Sequence, residues 1–359
     1  MFETTSDVYK KAIMSYDNKG FIVSPAYDIV FFIATPLIGL LIISYIFNLE
    51  FLDGTIKAGM KDKVRPLSGV IIGGLIYAHL FIVFFRSHGN RKIFKLYPYR
   101  FTLVPIVLAA LINSSLFFGV LILILASWWD VYHSSLQTFG LGRIYDKKAG
   151  NANMNIGRRL DYFLNLSLYV GPIFAGWALM PHMKVFNGYE QINDQSFLIQ
   201  IPDLVFQYKS NITEFVFLIG LPFLIFYLYS YWRFYKAGYA ISFQKIALLT
   251  CTAICSISAW GFNSFGQAFV IMNFFHAIQY FAIVWHFEKK NMQKSFGQEG
   301  KKRGVINTFL IFILIGISAG YFLETNMFYY ESIFAVALTV SIMHFWYDSF
   351  IWSVRKSQV

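Results

Sequence analysis

Long apolar runs alternate with short polar breaks along almost the whole chain. Most runs are close to the ~20 residues that a helix needs to cross a hydrocarbon layer. Read between the polar breaks, the sequence predicts helices at 27–47, 67–87, 101–113, 115–139, 157–181, 213–235, 241–260, 264–288, 304–323 and 330–354. The expected fold is therefore all-α, a polytopic membrane bundle of about ten spans. The run at 101–113 is the shortest and ends at the turn Asn113-Ser114-Ser115, while Gly261-Phe262-Asn263 divides two later runs in the same way. If those two turns do not separate full spans, the count falls to eight.

Composition strengthens this reading. The chain is 57% hydrophobic and 14% charged, where a soluble domain carries about 25% charged residues. With ten spans, 24 of the 30 Lys and Arg residues fall on one face of the membrane and 6 on the other. Such a bias predicts that both termini are cytoplasmic, and the expected location is the inner (plasma) membrane of a bacterium. The expected organisation is a cytoplasmic segment at 1–26, one transmembrane domain at 27–354 with an external loop at about 182–212, and a cytoplasmic tail at 355–359. That loop is long enough to serve as a lid or as a plain connector. The first 26 residues mix charges of both signs and lack an apolar core, so the first helix is expected to act as its own insertion signal. The net charge of +11 sits in short loops between spans, so nucleic acid is not an expected partner. Cys251 and Cys255, the two cysteines, lie one turn apart in one apolar run and are read as packing residues.

Four of the apolar runs contain a histidine well inside them: His79, His133, His276 and His344. Imidazoles are expensive in hydrocarbon, so four at comparable depth call for an explanation. At 1.5 Å per residue they lie roughly 10 to 20 Å from the first basic residue at the cytoplasmic end of their helices. Asp130 precedes His133 by three positions and Asp348 follows His344 by four, so each acid shares a helix face with its histidine. An acid one turn from a histidine on facing helices is the arrangement of carboxylate-bridged metal sites in bundles. The same acid can instead orient a ligating imidazole through its second nitrogen. The plainer alternative for any single histidine is a hydrogen bond between helices. The candidate ligands are therefore His79, Asp130, His133, His276, His344 and Asp348. Without thiolates, these donors suit iron, zinc, manganese or copper. Non-haem iron, mononuclear or dinuclear, is the leading expectation, and a haem held by two opposed histidines is the alternative. Tyr280 and Tyr347 stand near the candidate ligands and could supply protons or hydrogen bonds. Arg86, seven positions after His79, either marks the membrane edge or holds an anionic headgroup. His88, His182 and His286 are read as interfacial, with His88 or His286 open to a second metal position.

His79, the turn Asp130-Val131-Tyr132-His133, the segment Asn273-Phe274-Phe275-His276 and the segment His344-Phe345-Trp346-Tyr347-Asp348 carry a resemblance at group level. In these the chain resembles the histidine-rich integral-membrane non-haem iron oxygenases, the membrane desaturases and hydroxylases and the bacterial carotene-cleaving dioxygenases. The HxxxH and HxxHH boxes of the first group and the Pro-His-Gly element of the second are not present in it. The resemblance implies an oxidoreductase that uses O₂ on an acyl chain, isoprenoid or carotenoid drawn from the bilayer, with an electron-transfer partner for some of these reactions. A quinone-linked haem protein and a proton- or ion-coupled transporter are the competing expectations.

Overall fold

A computed structural model of the chain describes residues 20–45, 67–189 and 196–352. The expected cytoplasmic segment as far as residue 19, the end of the first expected helix at 46–47 with the stretch to residue 66, residues 190–195 of the external loop, the last two residues of the expected transmembrane domain and the tail at 355–359 lie outside them. Among the described residues all regular structure is helical. We label the helices in chain order. The first two are α1 (Pro25–Ile33) and α2 (Thr35–Tyr45), joined by a 52° bend. They are followed by α3 (Leu67–Ser87), α4 (Arg91–Leu96), α5 (Pro98–Ser114), α6 (Leu116–Lys148), α7 (Arg158–Ala175) and α8 (Leu179–Met183). The remainder are α9 (Ser196–Gln207), α10 (Lys209–Lys236), α11 (Phe243–Phe262), α12 (Phe265–Ser295), α13 (Gly304–Asn326) and α14 (Glu331–Ile351).

Seven of these helices are long and apolar enough to cross a membrane, and up to nine spans result if each of two bent pairs is counted as one. The expected ten is thus reduced at identifiable places. The run at 101–113 becomes α5, whose 17 residues reach about 26 Å, short of the ~30 Å hydrocarbon core. The run at 157–181 breaks by 96° between α7 and α8. Its cause is local: a side chain at Gly176 would strike the Pro172 carbonyl and the backbone of Gly261, and the Ala178 amide donates to the Gly261 carbonyl at 2.9 Å. The bare backbone at 176 lets the chain turn tightly over the end of α11. Part of the expected external loop is itself helical, in the turn at Lys184–Tyr189 and in α9.

Packing orders these helices around α12, whose apolar stretch is 78% buried, while that of α10 is 6% buried. Phe215, Leu218, Ile225 and Phe226 of α10 are all more than half exposed, as side chains facing lipid would be. The tightest pairing joins α3 to α13. A side chain at Gly320 would meet the Gly74 carbonyl and the Ala78 backbone, and one at Gly316 would press on Ile82. Gly316 and Gly320 form a small-xxx-small stripe that brings two helix backbones close together. This contact holds α3 against the centre of the bundle, one residue from His79.

A second buried feature ties α6, α7 and α11 together. Arg143 donates to Asp146 at 2.7 Å and to Asp161 at 2.6 Å, and Lys245 donates to the same two acids at 2.8 and 2.7 Å. The Tyr227 and Tyr231 hydroxyls donate to the other Asp161 oxygen. In the sequence Arg143 and Lys245 read as loop charges that set topology. Here both are buried and neutralised by two carboxylates, an arrangement that buried charge requires.

Candidate metal centre

The four histidines expected from sequence come together. His79 comes from α3, His133 from α6, His276 from α12 and His344 from α14, and none is more than 4% exposed. The ring centroids of His79–His276, His276–His133, His133–His344 and His344–His79 are 5.1, 4.9, 4.8 and 5.2 Å apart, and the His276–His344 diagonal is 6.2 Å. These distances close a four-cornered ring around one point. An ion bonded to imidazole nitrogen at about 2 Å puts ring centroids ~3 Å from itself, with neighbouring centroids roughly 4.5 to 5.2 Å apart. Half the observed diagonal agrees with the first distance and the four sides with the second.

The donor atoms follow the same geometry. Those of His79, His276 and His344 lie within 4.8 Å of one another, and so do those of His133, His344 and Asp348. The two Nε2 atoms of His133 and His344 are 3.1 Å apart, close to the ~3 Å between two ligands at right angles on one ion. Neither ring nitrogen of His79 or His276 makes a hydrogen bond, and Nδ1 of His344 makes none. The Ile76 carbonyl lies beside the His79 ring and the Leu80 carbonyl beside the His344 ring, each close enough to act as a weak acceptor, whereas His276 has no such neighbour among the described residues. Buried polar nitrogens are normally satisfied, so imidazoles with so few partners, converging on one point, fit a bound cation.

Of the two candidate acids, the fold chooses one. Asp348 Oδ1 accepts from the Tyr280 hydroxyl at 2.8 Å and from Trp352 Nε1 at 2.9 Å. Its Oδ2 faces His133 Nε2 at 3.6 Å and His344 Nε2 at 3.8 Å. One oxygen is thus fixed by two donors while the other points at the imidazoles. Asp130 instead accepts from Asn273 Nδ2 at 2.7 Å and belongs to neither group of mutually close donor atoms among the described residues. Its helix is rotated so that position 133 faces the centre and position 130 meets α12.

The three expected chemical side chains also separate. Tyr280 is at the centre, its ring 4.5 Å from that of His344. Tyr347 turns away: its hydroxyl donates to the Arg100 carbonyl and its ring packs against Phe101 of α5. Arg86 does not reach outward from the bundle, being only 3% exposed. It donates to Glu288 and to the Ile351 carbonyl, and its guanidinium stacks 3.9 Å over the Trp352 ring. It therefore supports the tryptophan that holds Asp348. Sequence reasoning missed Trp352 and Glu288. The signal was present as Asp348 and Trp352 four residues apart, with Glu288 inside an otherwise basic segment.

The remaining histidines lie elsewhere. His88 contacts Ser87 Oγ at 2.8 Å through Nδ1 and the Phe101 carbonyl at 2.9 Å through Nε2, and burial pushes its pKa below the ordinary value. His182 is fully buried and bonded to the Trp260 carbonyl. His286 is half-buried near Lys148 and Lys289.

A cavity of about 190 Å³ reaches the centre from the side, touching His133, Tyr280 and Asp348. Its other walls are mainly apolar, among them Leu136, Leu141, Ile144, Ile283 and Phe345. It opens between α6 and α14, where Tyr132 and Ser349 are exposed. Comparison with family models, with curated proteins and with solved structures finds no match for this chain.

Proposed function

We propose that the protein is an integral-membrane non-haem iron oxidoreductase that uses O₂ on a lipid-soluble substrate. The observation that carries this reading is the closed ring of four imidazoles, with the free oxygen of Asp348 beside two of them and an apolar cavity at their edge. Four nitrogens and one carboxylate oxygen fit iron and leave room for a further ligand. Iron held there supplies the open position and the redox change that O₂ chemistry needs.

The protein's own groups perform the rest. Tyr280 and Trp352 fix one oxygen of Asp348, so the other is aimed before any ion arrives; such preorganisation tightens a metal site. The apolar walls keep water from the centre and give a hydrocarbon chain a surface continuous with the bilayer. Hydroxylation or desaturation also takes two electrons from a reductant, which implies an electron-transfer partner. Edge-to-face packing of the four rings, with Tyr280 filling the side next to His344, supports a bare ion over a haem, which needs a flat slot between opposed imidazoles. The charge bias along the chain supports cytoplasmic termini.

Elemental analysis with an optical spectrum of the purified protein tests the proposal. The expected result is about one or two irons per chain with no Soret band. Protein that is fully active in lipid extracts yet free of transition metal would overturn it.

A further inference from the structure

The cavity extends along α6, and basic residues follow its last wall positions on two helices. On α6 its walls run from His133 to Ile144, eleven residues or about 16 Å along the helix. Lys148 follows Ile144 by one turn on the same face. On α12 the wall residue Ile283 is followed after three positions by His286. Lys148 and Lys289 both act electrostatically on His286, which places three basic groups together at this end. Asp28 also acts on His286 and offsets part of this charge, while its oxygens accept from the Ile22 and Val23 amides and the Tyr145 hydroxyl. Midway along the groove stands Gly140, where an added Cβ would meet nothing within 4 Å.

We infer that the groove along α6 binds one long acyl chain whose anionic head rests on Lys148, His286 and Lys289 and whose body reaches the four-histidine centre. This deepens the oxidoreductase reading, on which the chain's chemical fate rests, but binding itself is independent of it. From Lys148 to His133 is about 22 Å, a span that only a long chain covers. A neutral carotenoid or isoprenoid gains nothing from the basic end, whereas a carboxylate or phosphate does. Gly140 is then the residue that sets specificity: its missing side chain leaves the passage open, and a large residue there starts from a Cβ that meets no protein atom within 4 Å.

The test uses the whole protein in zwitterionic nanodiscs and the fluorescence of Trp129 and Trp352, both in the groove wall. The probes are dibromostearate, the alcohol of the same chain, and a phosphatidylglycerol carrying it. Saturable quenching by dibromostearate at lower concentration than by the alcohol is expected. Lys148→Gln should weaken the acid about fivefold and leave the alcohol unchanged. Gly140→Phe should abolish saturable quenching by both while metal content stays at the wild-type level. Stronger quenching by phosphatidylglycerol assigns the chain to a phospholipid, and stronger quenching by the acid assigns it to a free fatty acid; saturation by neither overturns the inference. So does wild-type quenching in Gly140→Phe, or equal affinity for acid and alcohol. Saturable binding to a wild-type protein that holds no metal would leave this inference standing and remove the oxidoreductase reading instead.

Discussion

Replacing His276 by leucine separates a metal centre from a merely buried histidine, because only a metal centre makes the effect of the substitution depend on iron. His276 is fully buried and neither ring nitrogen has a hydrogen-bond partner. A neutral imidazole carries one donor and one acceptor, and each orphaned buried group costs about 1–3 kcal/mol. If no ion binds, His276→Leu keeps the volume, removes both orphans and should stabilise the protein by about 2–6 kcal/mol. If the four imidazoles hold an ion, the variant loses a ligand and with it the stabilisation by binding, about 2.7 kcal/mol when free metal is a hundredfold above Kd. The assay is thermal unfolding in detergent, with iron and with a chelator, alongside metal content. We expect the gap to narrow: with chelator the variant unfolds above wild type, and with iron that lead shrinks by about 2.7 kcal/mol while the variant carries less metal. A variant whose lead over wild type is the same in iron as in chelator, with undiminished metal, would refute the reasoning.

Asp348→Asn keeps an oxygen for Tyr280 and Trp352 but turns a nitrogen donor toward His133 and His344, so metal affinity should fall about 10–100-fold in a chelator competition while metal-free stability barely changes. Lys245→Met leaves Asp146 and Asp161 with Arg143 as their one cation in the network; thermal unfolding should register a loss of about 3–5 kcal/mol with iron content untouched. Burial holds His88 below its ordinary pKa, so between the folded and unfolded values the unfolded chain binds the extra proton. Stability is therefore complete above about pH 6.5 and falls as the pH drops below it. In a series of unfolding temperatures, His88→Gln should flatten that acid slope, and an unchanged slope would remove His88 from the account.

The positions of the site histidines were legible because imidazoles inside apolar runs violate the solvent preference of everything around them. That argument works on sequence alone, since depth in a helix follows from residue count. The choice of acid did not follow in this way. Asp130 and Asp348 stand three and four residues from a histidine, and both spacings share a helix face. Only the rotation of α6 and α14 in the packed bundle turned Asp348 toward the imidazoles and Asp130 toward Asn273. Tyr280 and Tyr347 divide for the same reason. Arg86 misled because a cation near the end of an apolar run usually reaches for water; Glu288, about two hundred positions away, made burial possible.

The sequence by itself determined an all-helical membrane protein, the approximate extent of most spans, and four histidines that need a common explanation. Apolar run length and the cost of polar groups in hydrocarbon are local properties, and they survive without a fold. The break between α7 and α8, the short α5, the charge network of Arg143 and Lys245 and the aim of Asp348 were decided only in three dimensions. Each depends on what a neighbouring helix brings to the same place, a bare glycine backbone in one case and an opposite charge or a donor in others. No residue carries that information alone.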